Sequence, residues 1–159
     1  METPAVAEVT ASGKNFEVRT MPTEGVDFRT IDIDAHFREH LDLTASQVLK
    51  SLILSAQGEL VMAVLPVAAK LNIVEVARAI GKKKGTLVPP DQARELTGLE
   101  LGAIGPLGMK TPMPVIIDDG VLALEQVAVS AGSRGSHVVL APHDLIEITG
   151  ATPAHIVKE

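Results

Sequence analysis

The chain has 159 residues, a net charge of −6 at pH 7 and no cysteine. This length is enough for one domain with its own core, and an aromatic content of 2% leaves Val, Ile, Leu, Ala and Met to fill it. The absence of cysteine excludes disulfides, thiolate metal sites and a cysteine nucleophile. The acidic charge argues against broad, non-specific nucleic-acid binding.

The sequence does not predict membrane association. No apolar run reaches the roughly 18 residues that a membrane span needs. The N-terminal Met-Glu-Thr-Pro also lacks the basic and apolar regions of a signal peptide. We therefore expect a soluble, cytoplasmic protein with no membrane partner, and the lack of cysteine fits a reducing compartment.

In the first half of the chain, apolar residues follow helical spacing in some segments and strand spacing in others. Residues 23–33 are ambiguous and would suit an extended segment. The other expected elements are a helix over 4–11, a strand over 16–21, a short helix over 35–41 capped by Asp34, a helical turn over 44–49, a hairpin of strands 51–56 and 60–66 that turns at Gln57-Gly58, and a helix over 73–80 between Asn72 and Gly81.

In the second half, proline and glycine mark the ends of most elements. The expected elements are a helix opened by Pro90 and Asp91 and ended before Gly98, a hairpin of strands 114–118 and 121–124 that turns at Asp119-Gly120, strands over 127–130 and 137–140, and a helix that starts at Pro142 and ends before Gly150. The short strands lack a regular βαβ alternation. We therefore expect an α/β fold, a single domain over residues 1–159 with a curved mixed or mostly antiparallel sheet flanked by helices.

The most informative motif is Gly-Ala-Ile-Gly-Pro-Leu-Gly at residues 102–108. Its glycines allow backbone conformations closed to other residues, and Pro106 stiffens the turn. The spacing matches neither the Gly-x-Gly-x-x-Gly of a dinucleotide site nor a Walker loop. Two interpretations stay open: a tight connection between a helix and a strand, or a loop whose backbone groups contact a ligand.

Two basic features also allow two interpretations each. Lys50 lies within an apolar run at residues 48–54, where its ammonium either extends along the surface to solvent or meets a phosphate or developing oxyanion. Lys82, Lys83 and Lys84 form the densest basic cluster, which is either a solvated loop or a local phosphate-binding patch.

Two further patterns suggest catalysis, and neither is complete. His36-Phe-Arg-Glu39-His40 matches the His-x-x-Glu-His pattern of one zinc-protease class, but a third ligand is missing, so we expect exposed histidines on an amphipathic helix and no metal. The serines and histidines of residues 130–144 could form a triad on paper, but the Gly-x-Ser-x-Gly elbow is absent.

Several collinear segments together resemble the YbaK-like aminoacyl-tRNA deacylases, which are free-standing relatives of the editing domain inserted in bacterial prolyl-tRNA synthetases. The resemblance covers nearly the whole chain, and the residues from Gly102 to Pro106 correspond to the family's Gly-x-x-x-Pro loop. The segments are LTASQVLK at 43–50, AVLPVA at 63–68, GKKK at 81–84, TGLELGAIGPLG at 97–108, PVIID at 114–118 and SAGSRG at 130–135.

The resemblance implies a hydrolase that removes a wrongly attached amino acid from the 3′ end of tRNA, most often cysteine or alanine from proline tRNA. It implies no cofactor, no metal and no protein nucleophile, since a group of the substrate assists the reaction. The implied partners are the acceptor end of tRNA and a prolyl-tRNA synthetase. The alternative is a catalytically idle tRNA-binding or regulatory module of the same fold.

The resemblance also implies roles for individual residues. Cysteine-specific members carry an aspartate where this chain has His137, and their pocket aromatics are matched by Met21 and Ile33, so we expect a small, mainly apolar pocket. The expected catalytic residues are Lys50, Gly102 and Pro106; the expected substrate-binding residues are Met21, Ile33, Ala103, Ile104, Gly105, Ser130, Gly132 and His137; and the expected tRNA-binding residues are Lys82, Lys83, Lys84 and Arg134.

Overall fold

The computed structural model describes residues 2–158, which form helices packed on two β-sheets. The helices are α1 (Pro4–Ser12), α2 (Ile33–Leu41), α3 (Ile73–Ala79), α4 (Pro90–Thr97) and α5 (Pro142–Thr149). The strands are β1 (Glu17–Thr20), β2 (Leu49–Ala56), β3 (Glu59–Pro66), β4 (Thr86–Leu87), β5 (Val115–Asp118), β6 (Val127–Ser130), β7 (Ser136–Leu140) and β8 (Thr152–Ala154).

The larger sheet has the strand order β4-β2-β3-β5-β8 and the smaller one β1-β7-β6. In the larger sheet β2 pairs antiparallel with β3 and β4, whereas β5 runs parallel to both β3 and β8. The sheets meet just before β2, where Val48 bridges Ala128 of β6. The predicted α/β class with mixed pairing is confirmed, although two joined sheets replace the single curved sheet that we expected.

Strand β3 is the centre of the core because both of its faces are covered. Its residues from Val61 to Leu65 are fully buried, which explains why this segment is continuously apolar rather than alternating. Met62 and Val64 point into one apolar cluster together with α1 and α5 residues, while Val61, Ala63 and Leu65 point into a second cluster with α3. A third cluster surrounds Phe37 and lies between α2 and the smaller sheet.

Helix α2 begins differently from the prediction. Its N-cap is Asp32, whose side chain accepts a hydrogen bond from the Ala35 N–H at 3.1 Å. Asp34, which we expected to be the cap, instead accepts from the Ala45 N–H at 2.8 Å and pairs with Arg38. The Ala45 contact ties the helix to the following turn and, with Arg38, lowers the pKa of the Asp34 carboxyl.

The predicted hairpin at Asp119-Gly120 is wrong. Residues Asp119–Ala123 form a 3₁₀ helix that begins at Asp118, whose carboxylate accepts from the N–H groups of Gly120 and Ile156, each at 3.2 Å. A returning strand has no place to pair, because β3 and β8 already occupy both edges of β5. Strands β4 and β8, with two and three residues, were not predicted.

The structure shows the ends of the other segments more closely. The turn before β2 covers residues 44–47, so Leu49 and Lys50 already belong to the strand. Asn72 precedes α3 as predicted but makes no side-chain capping hydrogen bond. Across the described residues, every helix is too short or too polar to cross a bilayer.

Candidate active site

A cavity of about 620 Å³ opens where the two sheets meet. Its walls come from the β1–α2 connection, the start of β2, the glycine loop and the segment between β6 and β7. Eight of the residues expected at the site line it: Met21, Ile33, Lys50, Gly102, Ile104, Ser130, Arg134 and His137. Residues far apart in sequence therefore converge on one concave surface of the size that holds a small-molecule ligand.

Four other expected residues lie behind this wall rather than on it. Ala103, Gly105 and Pro106 are buried, and Gly132 is half-buried next to Thr3. A Cβ at Gly105 would lie 3.2 Å from Cβ of Ser130, so the loop passes directly against β6 there. These residues shape the loop, and their assigned catalytic and substrate-binding roles stay predictions.

The lysine cluster lies apart from the cavity. The Lys83 N–H donates to Oε1 of Gln57 at 3.0 Å, and Nζ of Lys82 lies 3.4 Å from Oε1 of Glu59, so the cluster sits at the turn between β2 and β3. Lys50 is at the other end of β2, and the intervening six residues of strand span about 20 Å.

Lys50 stands at the start of β2 with its ammonium half-buried in the cavity wall. Nζ donates to the backbone oxygen of Ala69 at 2.7 Å. Within residues 2–158 its ammonium has no carboxylate at ion-pair distance. Burial lowers the pKa of Lys50, and the ammonium has two further N–H donors to offer an anion.

Ser130 links the glycine loop to the sheet. Its Oγ donates to the Ala103 oxygen at 2.6 Å and accepts from the Gly132 N–H at 3.1 Å. A serine whose hydroxyl hydrogen is held by a backbone oxygen is not activated by a histidine base. Ser130 is therefore a structural connection between two glycine segments, and the geometry gives the serine-triad interpretation no support.

Helix α1 holds the other side of the loop. The Gly108 N–H donates to Oε1 of Glu8 at 2.9 Å, and the Thr3 hydroxyl donates to the Ala131 oxygen at 2.6 Å. The first turn of α1 thus contacts both glycine segments at once.

His137 is the buried titratable group of the cavity, with 8% of its surface exposed. Its Nδ1 has no hydrogen-bond partner among the described residues. Burial lowers the pKa of His137, against an opposing hydrogen bond to the Gly135 backbone. The imidazole is therefore neutral at pH 7, and the wall beside it carries no charge where cysteine-specific relatives carry an aspartate.

Aromatic side chains reach the cavity after all. Phe37, buried under the cavity, and Phe28, half-buried at its mouth, both line it beside Met21 and Ile33. Sequence reasoning missed Phe28 because it lies in the ambiguous segment 23–33. The signal available was compositional, since two of the chain's three phenylalanines stand within ten residues of each other.

The histidines of α2 make contacts that explain them without a metal. Nε2 of His36 lies 3.2 Å from the Pro22 oxygen, and its ring centroid is 4.6 Å from that of His40. Among residues 2–158, the three groups whose ligand atoms lie close enough to share an ion are elsewhere, at Asp118, Asp119 and His155. Both carboxylate oxygens of Asp118 already accept backbone N–H groups.

Solved structures with the same fold include "hypothetical protein APE2540", with a TM-score of 0.83 and 24% identity over 98% of this chain and all of that one. A second is a candidate trans-editing enzyme for prolyl tRNA synthetase, with a TM-score of 0.81 and 20% identity over the full length of both chains. At these identities the likeness establishes the fold.

Sequence relatives agree with the fold. EbsC of Enterococcus faecalis, named as a candidate Cys-tRNA(Pro)/Cys-tRNA(Cys) deacylase, is 29% identical over 122 residues, 76% of this chain and 74% of that protein. A proline–tRNA ligase of Acidithiobacillus ferrooxidans is 27% identical over 99 residues, which are 62% of this chain but 17% of the ligase. The aminoacyl-tRNA editing domain model matches residues 32–148, from the start of α2 almost to the end of α5. The match spans most of the chain and every wall of the cavity except Met21, Thr23 and Phe28, and the chain belongs to the aminoacyl-tRNA editing domain family.

Proposed function

We propose that this chain hydrolyses the ester between a wrongly attached amino acid and the 3′ end of a tRNA, and that the cavity is the site of the reaction. The observation that carries the proposal is the convergence of Lys50 and the glycine loop on one cavity in a member of the editing family. A cation without a carboxylate partner and a loop rich in backbone donors suit a reaction that builds negative charge on oxygen.

The reaction needs stabilisation of an oxyanion more than it needs a protein nucleophile. Water attacks the ester carbonyl, the carbonyl oxygen becomes an oxyanion, and the bond to the ribose oxygen then breaks. That ribose oxygen takes a proton as the amino acid leaves. Lys50 and the backbone at Gly102 and Ile104 line the place where the oxyanion forms, and Ser130 is occupied by Ala103 and Gly132.

The nucleophilic water is activated by the substrate, through the ribose 2′-hydroxyl or, for a cysteine ester, through the thiol. The chain itself has no cysteine. His137 is an unsuitable base by position, because its Nδ1 is buried and its partnerless nitrogen is shielded from solvent.

The walls favour a small, weakly polar amino acid. Met21, Ile33 and Phe37 form an apolar floor, and the neutral His137 adds no charge to it. A pocket of this kind rejects larger side chains by collision but separates small ones weakly, since each methylene contributes only about 1–3 kcal/mol. Cysteine and alanine esters of proline tRNA are the proposed substrates.

A deacylation panel tests the proposal, with proline tRNA charged in turn with Cys, Ala, Ser and Pro. We expect rapid release of Cys or Ala and no acceleration for Pro, whose ring would collide with the glycine loop at the site. The rates are read from the loss of acid-precipitable labelled aminoacyl-tRNA. Hydrolysis of none of the four would favour the idle tRNA-binding module, and rapid loss of Pro would contradict the proposed specificity.

We also propose that the lysine cluster contacts phosphates of the tRNA outside its 3′ end, because about 20 Å of strand separates the cluster from Lys50. Lys82 already pairs with Glu59, which leaves Lys83 and Lys84 as the freer charges of the three. A prolyl-tRNA synthetase is proposed as a second partner on the strength of the relatives alone.

Replacing Lys82, Lys83 and Lys84 together by alanine is expected to flatten the salt dependence of tRNA binding. Each lost phosphate contact reduces the slope of log K against log salt by about 0.9 on duplex RNA-like charge density, so two contacts give about 1.8. Binding is measured by filter retention from 50 to 300 mM salt (~ range chosen for the lever of). Lys14→Ala, at an ion pair with Glu147 on α5, is the control; an unchanged slope in the triple variant would mean a solvated loop.

A further inference from the structure

Phe28 is an aromatic side chain that the fold does not use. The chain has three phenylalanines and no tyrosine or tryptophan. Phe37 is buried and Phe16 packs against the main core, whereas Phe28 belongs to none of the three apolar clusters of the described residues. It stands half-buried at the mouth of the cavity, with the ring of His36 edge-on at 5.6 Å.

Arg134 is likewise set apart from the other arginines. The remaining five each pair with a carboxylate two to four residues away in sequence: Arg19 with Glu17, Arg29 with Asp27, Arg38 with Asp34, Arg78 with Glu75 and Arg94 with Asp91. Within residues 2–158, no carboxylate lies at ion-pair distance from Arg134. In a chain with a net charge of −6, an exposed arginine at a cavity mouth without such a partner is available for an external anion.

These two side chains lie together. The guanidinium carbon of Arg134 is over the Phe28 ring, 5.9 Å from its centroid. The stem of Arg134 lies across Gly102, where a Cβ would come within 3.6 Å of its Cγ. The glycine loop, the aromatic ring and the guanidinium therefore form one continuous edge of the cavity, next to the half-exposed Leu101.

We propose that this edge binds a nucleobase, the base of the nucleotide that carries the ester, stacked on Phe28 and held by Arg134. Unpaired bases at RNA ends stack on phenylalanine rings and on guanidinium planes, and the edge of an arginine can still donate to a phosphate. The cavity, at about 620 Å³, has room beyond that needed for a small amino acid. The proposal rests on the proposed function, because it is the ester that places this base beside Lys50.

The absence of tyrosine and tryptophan gives a direct test. An uncharged RNA hairpin with a single-stranded CCA end carries 2-aminopurine in place of the terminal adenine, and its fluorescence is read without protein background. We expect wild-type protein to quench the fluorescence on binding. Phe28→Leu, which keeps an apolar side chain but loses the ring, should bind about five- to 150-fold more weakly and lose the quenching.

Two matched variants separate stacking from general damage. Phe28→Tyr should restore binding and quenching because it restores the ring, and Phe16→Leu, which changes a ring outside the cavity, should behave as wild type. Arg134→Lys should keep the salt dependence of binding while quenching less, and Arg134→Gln should lose both.

Equal binding and quenching by wild type and Phe28→Leu would overturn the proposal, as would stronger quenching with 2-aminopurine placed at an internal position. The measurement uses uncharged RNA, so it does not depend on hydrolysis. A protein that hydrolyses the ester but shows no Phe28-dependent quenching disproves the base site alone. A protein that quenches through Phe28 yet hydrolyses no ester retains the base site and disproves the proposed reaction.

Discussion

Replacing Lys50 by alanine is expected to lower kcat/KM for ester hydrolysis by about a hundredfold or more while the chain stays folded. The ammonium is half-buried in the cavity wall, and its described polar contact is with the Ala69 oxygen. Loss of one charge-assisted contact to a developing oxyanion costs about 3 kcal/mol, which corresponds to that factor. The measurement is single-turnover deacylation, with urea unfolding of the same preparation to verify the fold.

The pH dependence of the wild-type enzyme gives a second view of the same residue. Burial lowers the pKa of Lys50, and the ammonium is charged only below that pKa. Enzymatic acceleration over the spontaneous reaction should therefore fall as pH rises through the lowered pKa, at a pH where an ordinary lysine is still charged. Lys50→Arg keeps its charge throughout, so whatever activity it retains should lack this upper limb.

The control for Lys50 is its neighbour in space. Lys70 follows Ala69, whose oxygen accepts the Lys50 hydrogen bond, and its exposed side chain does not line the cavity. Lys70→Ala should hydrolyse the ester at the wild-type rate. Near wild-type turnover in Lys50→Ala would show that the ammonium does not contact the reacting ester.

Local patterns predicted most helices and strands because their ends carry a local signal. Pro90 and Gly98 bound α4, and Gly150 follows α5 in a left-handed conformation, as their residue types indicate. The failures depend on distant partners. Asp119-Gly120 has the sequence of a hairpin turn, but the parallel neighbours of β5 leave no free edge, and the local sequence carries no record of them.

The site divides in the same way. Lys50, Gly102 and Ser130 could be grouped from collinear motifs, and the structure brings all three to the cavity. The position of Phe28 could not be predicted, since the segment around it lacks periodicity and is fixed by turns and by contacts such as the edge-on His36. Charge density along the sequence drew attention to Lys83, whereas the isolated cation at the cavity is Arg134, a feature visible only in three dimensions.

The glycine loop depends on α1 for its position, which the sequence motif does not reveal. Gly108 has a φ of +68°, and a Cβ there would lie 2.4 Å from the Ala5 nitrogen and 2.6 Å from the Pro4 carbonyl carbon. These neighbours are backbone atoms of the first helical turn, so they cannot move aside as a flexible side chain could. Glu8, one turn further along, accepts the Gly108 N–H and fixes the same contact from the side.

Gly108→Ala is therefore expected to destabilise the chain by about 2–5 kcal/mol, of which ~1–2 kcal/mol is the strain of a positive φ and ~1–3 kcal/mol the displacement of α1 from the loop. Gly150→Ala is the matched control, because Gly150 has a φ of +71° and nothing within 4 Å of its would-be Cβ, so it should cost only the strain. Urea unfolding compares the two, and deacylation is measured where each remains folded. Folded Gly108→Ala should lose turnover because a shifted loop no longer lines the cavity beside Lys50, whereas Gly150→Ala should retain it. Equal destabilisation by the two substitutions would show that α1 does not hold the loop, since the strain is common to both and only the contact differs.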